Sequence, residues 1–481
     1  MNNNLINLLS KFSKDEWESL GDFISSPYFV KGRDYSALYT VLRNYFLKNK
    51  SGRDLESVVL NSTFGKSMSP AVLKNRLAEF NKLSEKFLVQ KNLEQLPATS
   101  YSMLFEELVK RDLYTNFRTD YNIVKNKIKP VDASEFISYS RILQSLGFYH
   151  RNNNDINTAF DKFDEHVDCI VAYALDRLIY FATEYHNSDI FGIQYNAGIF
   201  TKMFNSMDLP KIIEIMETTG SDYYNSVRLR YYIYNSFMNL DKPSQLEKAE
   251  NYFEMIKDNI SIDLKFDYFQ KMQSYFVLHI NKGNYTYLRK LFTLLNERLE
   301  DKDTINFSLA DYPATEFRDF VITGLKVKEF NWVEDFINRY SNELHPSLRD
   351  VEKSTALVKL YTEKNEYIKA LNVLNRQKNT KNHIHNIDIY KYKLMIYYDM
   401  KYYDELELTA DSMNHYLQKE GLIEIQKKRA RDFARNISQL LKISKSPDRQ
   451  GLVEFIDSLN SNKDYNADKK WLLEKANELY S

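Results

Sequence analysis

Cysteine is nearly absent: Cys169 stands alone in 481 residues. One thiol cannot form an intrachain disulfide or a thiolate metal site, and such usage fits a reducing, cytoplasmic setting. Helix breakers are scarce as well, with 12 Gly and 9 Pro, well below the average of roughly 7% and 5%. Few breakers over so long a chain favour helices joined by short turns. Net charge is missing too, since 66 basic residues balance 66 acidic ones. No global field therefore gathers nucleic acid or an anionic membrane. No run of about 18 apolar residues occurs, so no membrane span is expected. The opening MNNNLINLLSKFSKDEW lacks the basic start, apolar core and small-residue cleavage site of a secretion signal, and reads as mature protein.

What is plentiful is aromatic. Tyr (36) and Phe (30) dominate, against three Trp. Large rings suit packing between helices, with a Tyr hydroxyl reaching water at the edge. A hydrophobic share of 43% with 27% charged residues belongs to a chain that folds.

Apolar residues recur with one spacing. After each polar turn they fall near offsets 0, 3, 6, 7 and 10, one face of an amphipathic helix. Tyr285, Leu288, Leu291, Phe292 and Leu295 fit. So do Phe330, Val333, Phe336, Ile337 and Tyr340, and Leu246, Ala249, Tyr252, Phe253 and Ile256. The sets beginning at Leu209, Tyr367 and Tyr403 fit nearly as well, and the set at Ile156 fits least. Anchors 209, 246, 285, 330, 367 and 403 lie 37, 39, 45, 37 and 36 residues apart. Each interval holds a second apolar stretch, such as DYFQKMQSYFVLHI (267–280). A period near forty with two helices predicts an all-α fold, an α-solenoid of antiparallel helix pairs over residues 135–420. The interval from 156 to 209 is 53 residues, so an extra helix or one long helix is expected there.

In ALVKLYTEKNEYIKALNVL (356–374), Leu357, Tyr361, Tyr367, Ala370 and Leu374 are spaced in a way that resembles the tetratricopeptide (TPR) repeat. In LGFYHRNNNDINTAFDKF (146–163), Leu146, Gly147, Ala159 and Phe163 look like the same pattern. Val358 stands where that repeat usually has Gly, no closing Pro follows, and the periods exceed 34. The resemblance is to degenerate, TPR-like repeats. It implies a superhelix that binds a protein or peptide; the spacing alone implies stacked helix pairs.

Residues 1–96 read as a small helical N-terminal domain, and 97–134 as a helical connection. Ser13 and Glu16 form a capping box, Ser25-Ser26-Pro27 ends a helix, and Ser69-Pro70 starts another. Further helices are expected over 34–48 and 53–62. The run SSPYF (25–29) with VLKNRLAEFNKLSEKFLV (72–89) resembles the opening of a group of uncharacterised bacterial proteins, which brings no activity with it. Residues 421–481 read as capping helices.

Chemistry-bearing motifs are few. Phe64-Gly65-Lys66-Ser67 has the tail of a phosphate-binding loop, but Leu60 occupies the first glycine position. His383-Ile384-His385 with Asp388, and Glu165-His166 with Asp168 and Cys169, read more simply as a polar connection and a helix face. No catalytic, cofactor or metal residue is assigned, and the chain is read as a non-catalytic scaffold. Its partner-binding candidates are Arg228 and Arg230 in SVRLRYYIYNSF. A basic stripe joins them: Lys428, Arg431, Arg435 and Lys442, at offsets 0, 3, 7 and 14, opposite Phe433, Ile437, Leu440 and Leu441. The alternative is a DNA-binding regulator. Residues 1–96 carry 14 basic and 10 acidic residues, and Asn75, Lys82 and Lys86 would face the nucleic acid from a helix-turn-helix-like domain, with Glu79 opposing them.

Overall fold

The computed structural model describes residues 3–47, 69–130, 133–190, 198–221, 223–301, 312–377, 383–418, 424–446, 449–461 and 467–480. Among these residues the fold is all-helical, with 23 α-helices and no β-strand. One isolated parallel bridge joins Tyr312 to Leu344. The expected 53–62 helix and the Phe64–Ser67 motif lie outside the described residues.

α1 (Asn3–Leu9), α2 (Lys14–Ser25), α3 (Ser36–Leu47) and α4 (Pro70–Gln95) close on one core. Trp17 sits at its centre, ringed by Phe12, Tyr39 and Phe46. The helix ends follow local chemistry. The Ser13 side chain accepts the Glu16 N–H at 3.1 Å, and the Glu16 carboxylate accepts the Ser13 N–H at 2.8 Å, the expected capping box. α2 stops at Ser25, ahead of Pro27, and Pro97 opens the next helix.

α5 (Pro97–Lys110), α6 (Tyr114–Val124), α7 (Ala133–Asn152), α8 (Ile156–Ile190), α9 (Gly198–Asn205), α10 (Leu209–Thr218), α11 (Tyr224–Met238), α12 (Pro243–Ile256) and α13 (Ile262–Asn281) follow. The irregular 53-residue interval resolves into both expected forms: α8 is a single 35-residue helix, and the short α9 comes after it. Then come α14 (Tyr287–Glu300), α15 (Ala314–Lys326), α16 (Phe330–Tyr340), α17 (Arg349–Glu363), α18 (Tyr367–Arg376), α19 (His383–Asp399), α20 (Tyr403–Tyr416), α21 (Glu424–Lys445), α22 (Arg449–Ser461) and α23 (Ala467–Tyr480). Helices pack mainly against those next to them, or nearly so, in chain order. Two compact units result: Met1–Tyr275 with Arg298–Ala310, and Phe276–Glu297 with Asp311–Ser481.

One turn recurs. At Asp112, Asn154, Gly220, Gly283, Lys328, Asn365 and Lys401 the backbone is left-handed, with φ between 54° and 90°. In each case the next residue's N–H donates to the carbonyl five residues back, at 2.8–3.1 Å. This is the helix C-terminal motif that a left-handed residue closes. Asn and Gly enter that conformation readily, whereas Lys328 and Lys401 bear its steric cost. Close helix contact follows at small residues. A Cβ on Gly147 would meet the Phe163 ring at 2.5 Å, and one on Gly324 would meet Val333 at 2.5 Å.

Burial follows the repeated spacing closely in places. All five of Leu246, Ala249, Tyr252, Phe253 and Ile256 are buried, as are Val333, Phe336, Ile337 and Tyr340. The set at Tyr285 is shifted: Tyr285 itself is 69% exposed, and the buried face begins at Tyr287. The left-handed turn at Gly283 starts the helix two residues later and leaves Tyr285 outside it, while Leu291, Phe292 and Leu295 are buried as the spacing predicts. In the second unit, Val358 is buried with Ala370 and Leu374, so the missing glycine is replaced by packed core. α21 buries Ala430, Phe433, Ala434, Ile437, Leu440 and Leu441 against α19, α20 and α22 residues.

Candidate functional site

Charged residues inside apolar helices carry the chemistry of the first unit. On α8, Asp176, Arg177, Tyr180 and Glu184 recur at one-turn spacing; on α13, Asp263, Asp267, Gln270, Lys271 and Ser274 do the same. α11 contributes Arg230. Together these side chains line a cavity of about 570 Å³.

Arg230 joins the three helices. Its Nε donates to Asp176 Oδ1 at 2.6 Å and its Nη1 to Asp267 Oδ2 at 2.5 Å. Asp176 is fully buried, and its other oxygen accepts from Arg177 Nε at 2.9 Å. Lys271, also buried, pairs with the Glu184 carboxylate. The Tyr180 ring has three cations around it, Arg177, Arg230 and Lys271, at 5.2, 5.1 and 5.2 Å from its centroid, within cation–π range.

Burial shapes the charge states. It pulls the Arg230 pKa down, but Asp176 and Asp267 more than restore it, so the guanidinium stays charged. Burial also lifts the Asp267 carboxyl above its usual range despite Arg230. It lowers Lys271 to about 8. Glu184, 38% exposed, lies against this ammonium and offsets part of the cost of burying it. Four carboxylates, Asp176, Glu184, Asp263 and Asp267, thus meet three cations around one aromatic ring. Such a lining offers hydrogen-bonding groups and paired charges of both signs to the space it encloses.

Of the two arginines singled out from the sequence, Arg230 lines this cavity. Arg228 is held elsewhere. Its guanidinium lies over Tyr224, Tyr232 and Tyr252 at 4.8, 5.2 and 4.9 Å, and donates to Tyr232 Oη at 2.7 Å and to Glu217 at 3.1 Å. Lys428, Arg431, Arg435 and Lys442 are all exposed on α21; Arg435 pairs with Asp432 at 2.7 Å. In the first unit, Asn75, Lys82 and Lys86 are exposed on α4. Glu79, between them, is held by the Tyr35 hydroxyl and by Arg33 at 2.6 Å, which keep its carboxyl below the usual range.

The cluster around Cys169 turns toward backbone. His166 Nδ1 lies 2.7 Å from the Ser140 carbonyl, and Cys169 donates to the Phe136 carbonyl at 3.1 Å. Burial pushes the Cys169 thiol up to about 12, far from a reactive thiolate. His385 is buried and its pKa is lowered by that burial; the His383 side chain lies outside the described residues. Among the described residues, no group of three His, Cys, Asp or Glu is placed to hold a metal ion, and no helix is long and apolar enough to cross a membrane.

Sequence reasoning passed over Asp176, Tyr180, Glu184, Asp267 and Lys271. A signal was present: isolated charges interrupt CIVAYALDRLIYFA and DYFQKMQSYFVLHI, and Asp267 and Lys271 are four apart on one face. Compared with known proteins, the chain matches no family model, no curated protein and no solved structure.

Proposed function

We propose that this chain is a protein-interaction scaffold, a TPR-like α-solenoid that holds a segment of a partner protein against the Arg230 cavity. The observation that carries this reading is the cavity itself: three helices from successive parts of the chain aim polar groups of both signs at one open space. The recurring left-handed turn supports the solenoid, because at seven helix ends it turns the chain into the next helix by the same local geometry. Arginine and tyrosine together are the residue types that anchor protein contacts. The buried, unactivated Cys169 supports a binding role over nucleophilic catalysis. A reducing cytoplasmic setting suits the same thiol.

The test is site-specific photo-crosslinking in native cell extract, with the reactive side chain at Gln270 in the cavity or at exposed Asp258 as control. The expected result is a discrete protein adduct from position 270 that Tyr180→Ala reduces at least tenfold. Equal labelling from both positions, or none at 270, would overturn the proposal.

One observation favours a second reading, a DNA-binding regulator. Arg33 pairs with Glu79 and so offsets the carboxylate charge that opposes phosphates beside Asn75, Lys82 and Lys86. Duplex DNA titrated at low salt separates the two. Tight, steeply salt-dependent binding that Lys82→Glu with Lys86→Glu abolishes would put this reading first; no binding would remove it.

A further inference from the structure

A second concavity, of about 440 Å³, lies between α8 and α10 in the first unit. Its character is opposite to that of the Arg230 cavity. Buried Leu175 lines it with Val171 from α8, and Ile212, Ile215 and Met216 line it from α10. Val171 and Ile215 are 49% and 52% exposed, so two aliphatic side chains stand half in water across one groove. The apolar strip continues along α8 through exposed Val167 and Phe160, which lie four and eleven residues before Val171 and so share its side of the helix. Contiguous apolar surface of this kind marks an interaction site.

The rim is acidic. Asp161, Asp164 and Asp168 are exposed at offsets 0, 3 and 7, one stripe beside the apolar strip. Among the described residues none of the three has a cation partner; the one lysine in this stretch, Lys162, pairs with Glu165 at 2.6 Å. An occupant must therefore offer apolar side chains to the groove and positive charge to its edge.

We infer that this groove docks a basic amphipathic helix from a partner protein. Its apolar residues at i, i+3 or i+4, and i+7 enter between Val171 and Ile215, and its Lys or Arg side chains lie along Asp161, Asp164 and Asp168. The strip from Phe160 to Val171 spans roughly 16 Å at 1.5 Å per residue, so three turns of partner helix cover it. This goes beyond the scaffold reading and does not use the Arg230 cavity.

Fluorescence anisotropy of the full chain with a labelled 18-residue Leu/Lys amphipathic helix tests it, beside a Leu/Glu peptide of the same pattern. The Leu/Lys peptide is expected to bind at least tenfold more tightly. Val171→Asp with Ile215→Asp should weaken it at least tenfold with circular dichroism unchanged. Asp164→Lys with Asp168→Lys should shift the preference toward the Leu/Glu peptide. Tyr180→Ala, in the other cavity, should leave binding as it was. No binding, equal binding of both peptides, or indifference to the groove variants would overturn the inference. So would loss on Tyr180→Ala, which would move the peptide to the Arg230 cavity. A concentration-dependent dimer that Val171→Asp dissolves would replace the partner helix by a second copy, and would equally overturn it.

Discussion

Replacing Arg230 by Met should loosen α8, α11 and α13 together. Arg230 is 7% exposed and meets Asp176 and Asp267, each on a different helix. Methionine fills much of the same space but leaves two carboxylates behind. Breaking a buried ion pair from one side costs about 3–5 kcal/mol, because the remaining charge is stranded. Arg177 still reaches Asp176, so the lower end, about 3 kcal/mol, applies. A single unfolding free energy is poorly defined for a chain of two compact units. Hydrogen exchange of amides in 176–184, 224–238 and 263–274 is the better assay, since it reads local opening. The pH dependence has a definite sign. Burial already raises the Asp267 carboxyl, and without Arg230 it rises further. A carboxylate with a raised folded-state pKa costs stability above that pKa, and the cost fades as pH falls through it. The deficit relative to wild type should thus be largest near neutrality and narrow toward the acidic side. A deficit below about 1 kcal/mol, or one unchanged with pH, would show that Arg230 does not tie these helices together.

Lys271→Met should behave in the opposite way. Its ammonium is buried with a pKa near 8, against about 10.4 unfolded, a burial cost of about 3 kcal/mol at most below pH 8, part of which the Glu184 pair offsets. Between pH 8 and 10.4 the unfolded chain holds more protons, so wild-type stability climbs as pH rises. The Met variant should equal or exceed wild type at pH 7 in thermal melts, and its advantage should vanish toward pH 10.4. A clear loss at pH 7 would refute this. Gly324→Ala should cost about 1–3 kcal/mol by overpacking against Val333. Gly283→Ala meets nothing within 4 Å but holds φ at 90°, so it should cost only about 1 kcal/mol in backbone strain; urea midpoints in the reverse order would contradict both. Cys169 should react with maleimide at pH 8 only after unfolding, as its burial and raised pKa require; rapid native labelling would contradict that.

Local signals were readable in the chain wherever one residue determines the outcome. Ser13 with Glu16, and Ser69 with Pro70, mark helix starts by side-chain chemistry alone. The apolar faces of 246–256 and 330–340 follow from period. Helix starts set by backbone turns were harder. Tyr285 fits the pattern yet is exposed, because a left-handed turn sets where α14 begins. Gly283 announces such a turn, while Lys328 and Lys401 adopt it with no compositional sign.

The site itself was the least legible part, for a reason of distance. Arg230 lies 54 residues after Asp176 and 37 before Asp267. Period and propensity are local and carry no information about which charges will converge. Their convergence answers a need that apolar packing leaves open. Leucine and phenylalanine faces on neighbouring helices tolerate a slip of one turn, about 5.4 Å, with modest change in buried area. Bonds of 2.6 and 2.5 Å do not. A one-turn slip of α11 would part Arg230 from Asp176 and Asp267 at once, so the desolvation cost of the ion network is offset by its bonds only in the correct register. These charges are buried between the helices and still line the cavity wall. At the wall they fix the register of three elements and present both signs of charge, with Tyr180 among them, to whatever enters.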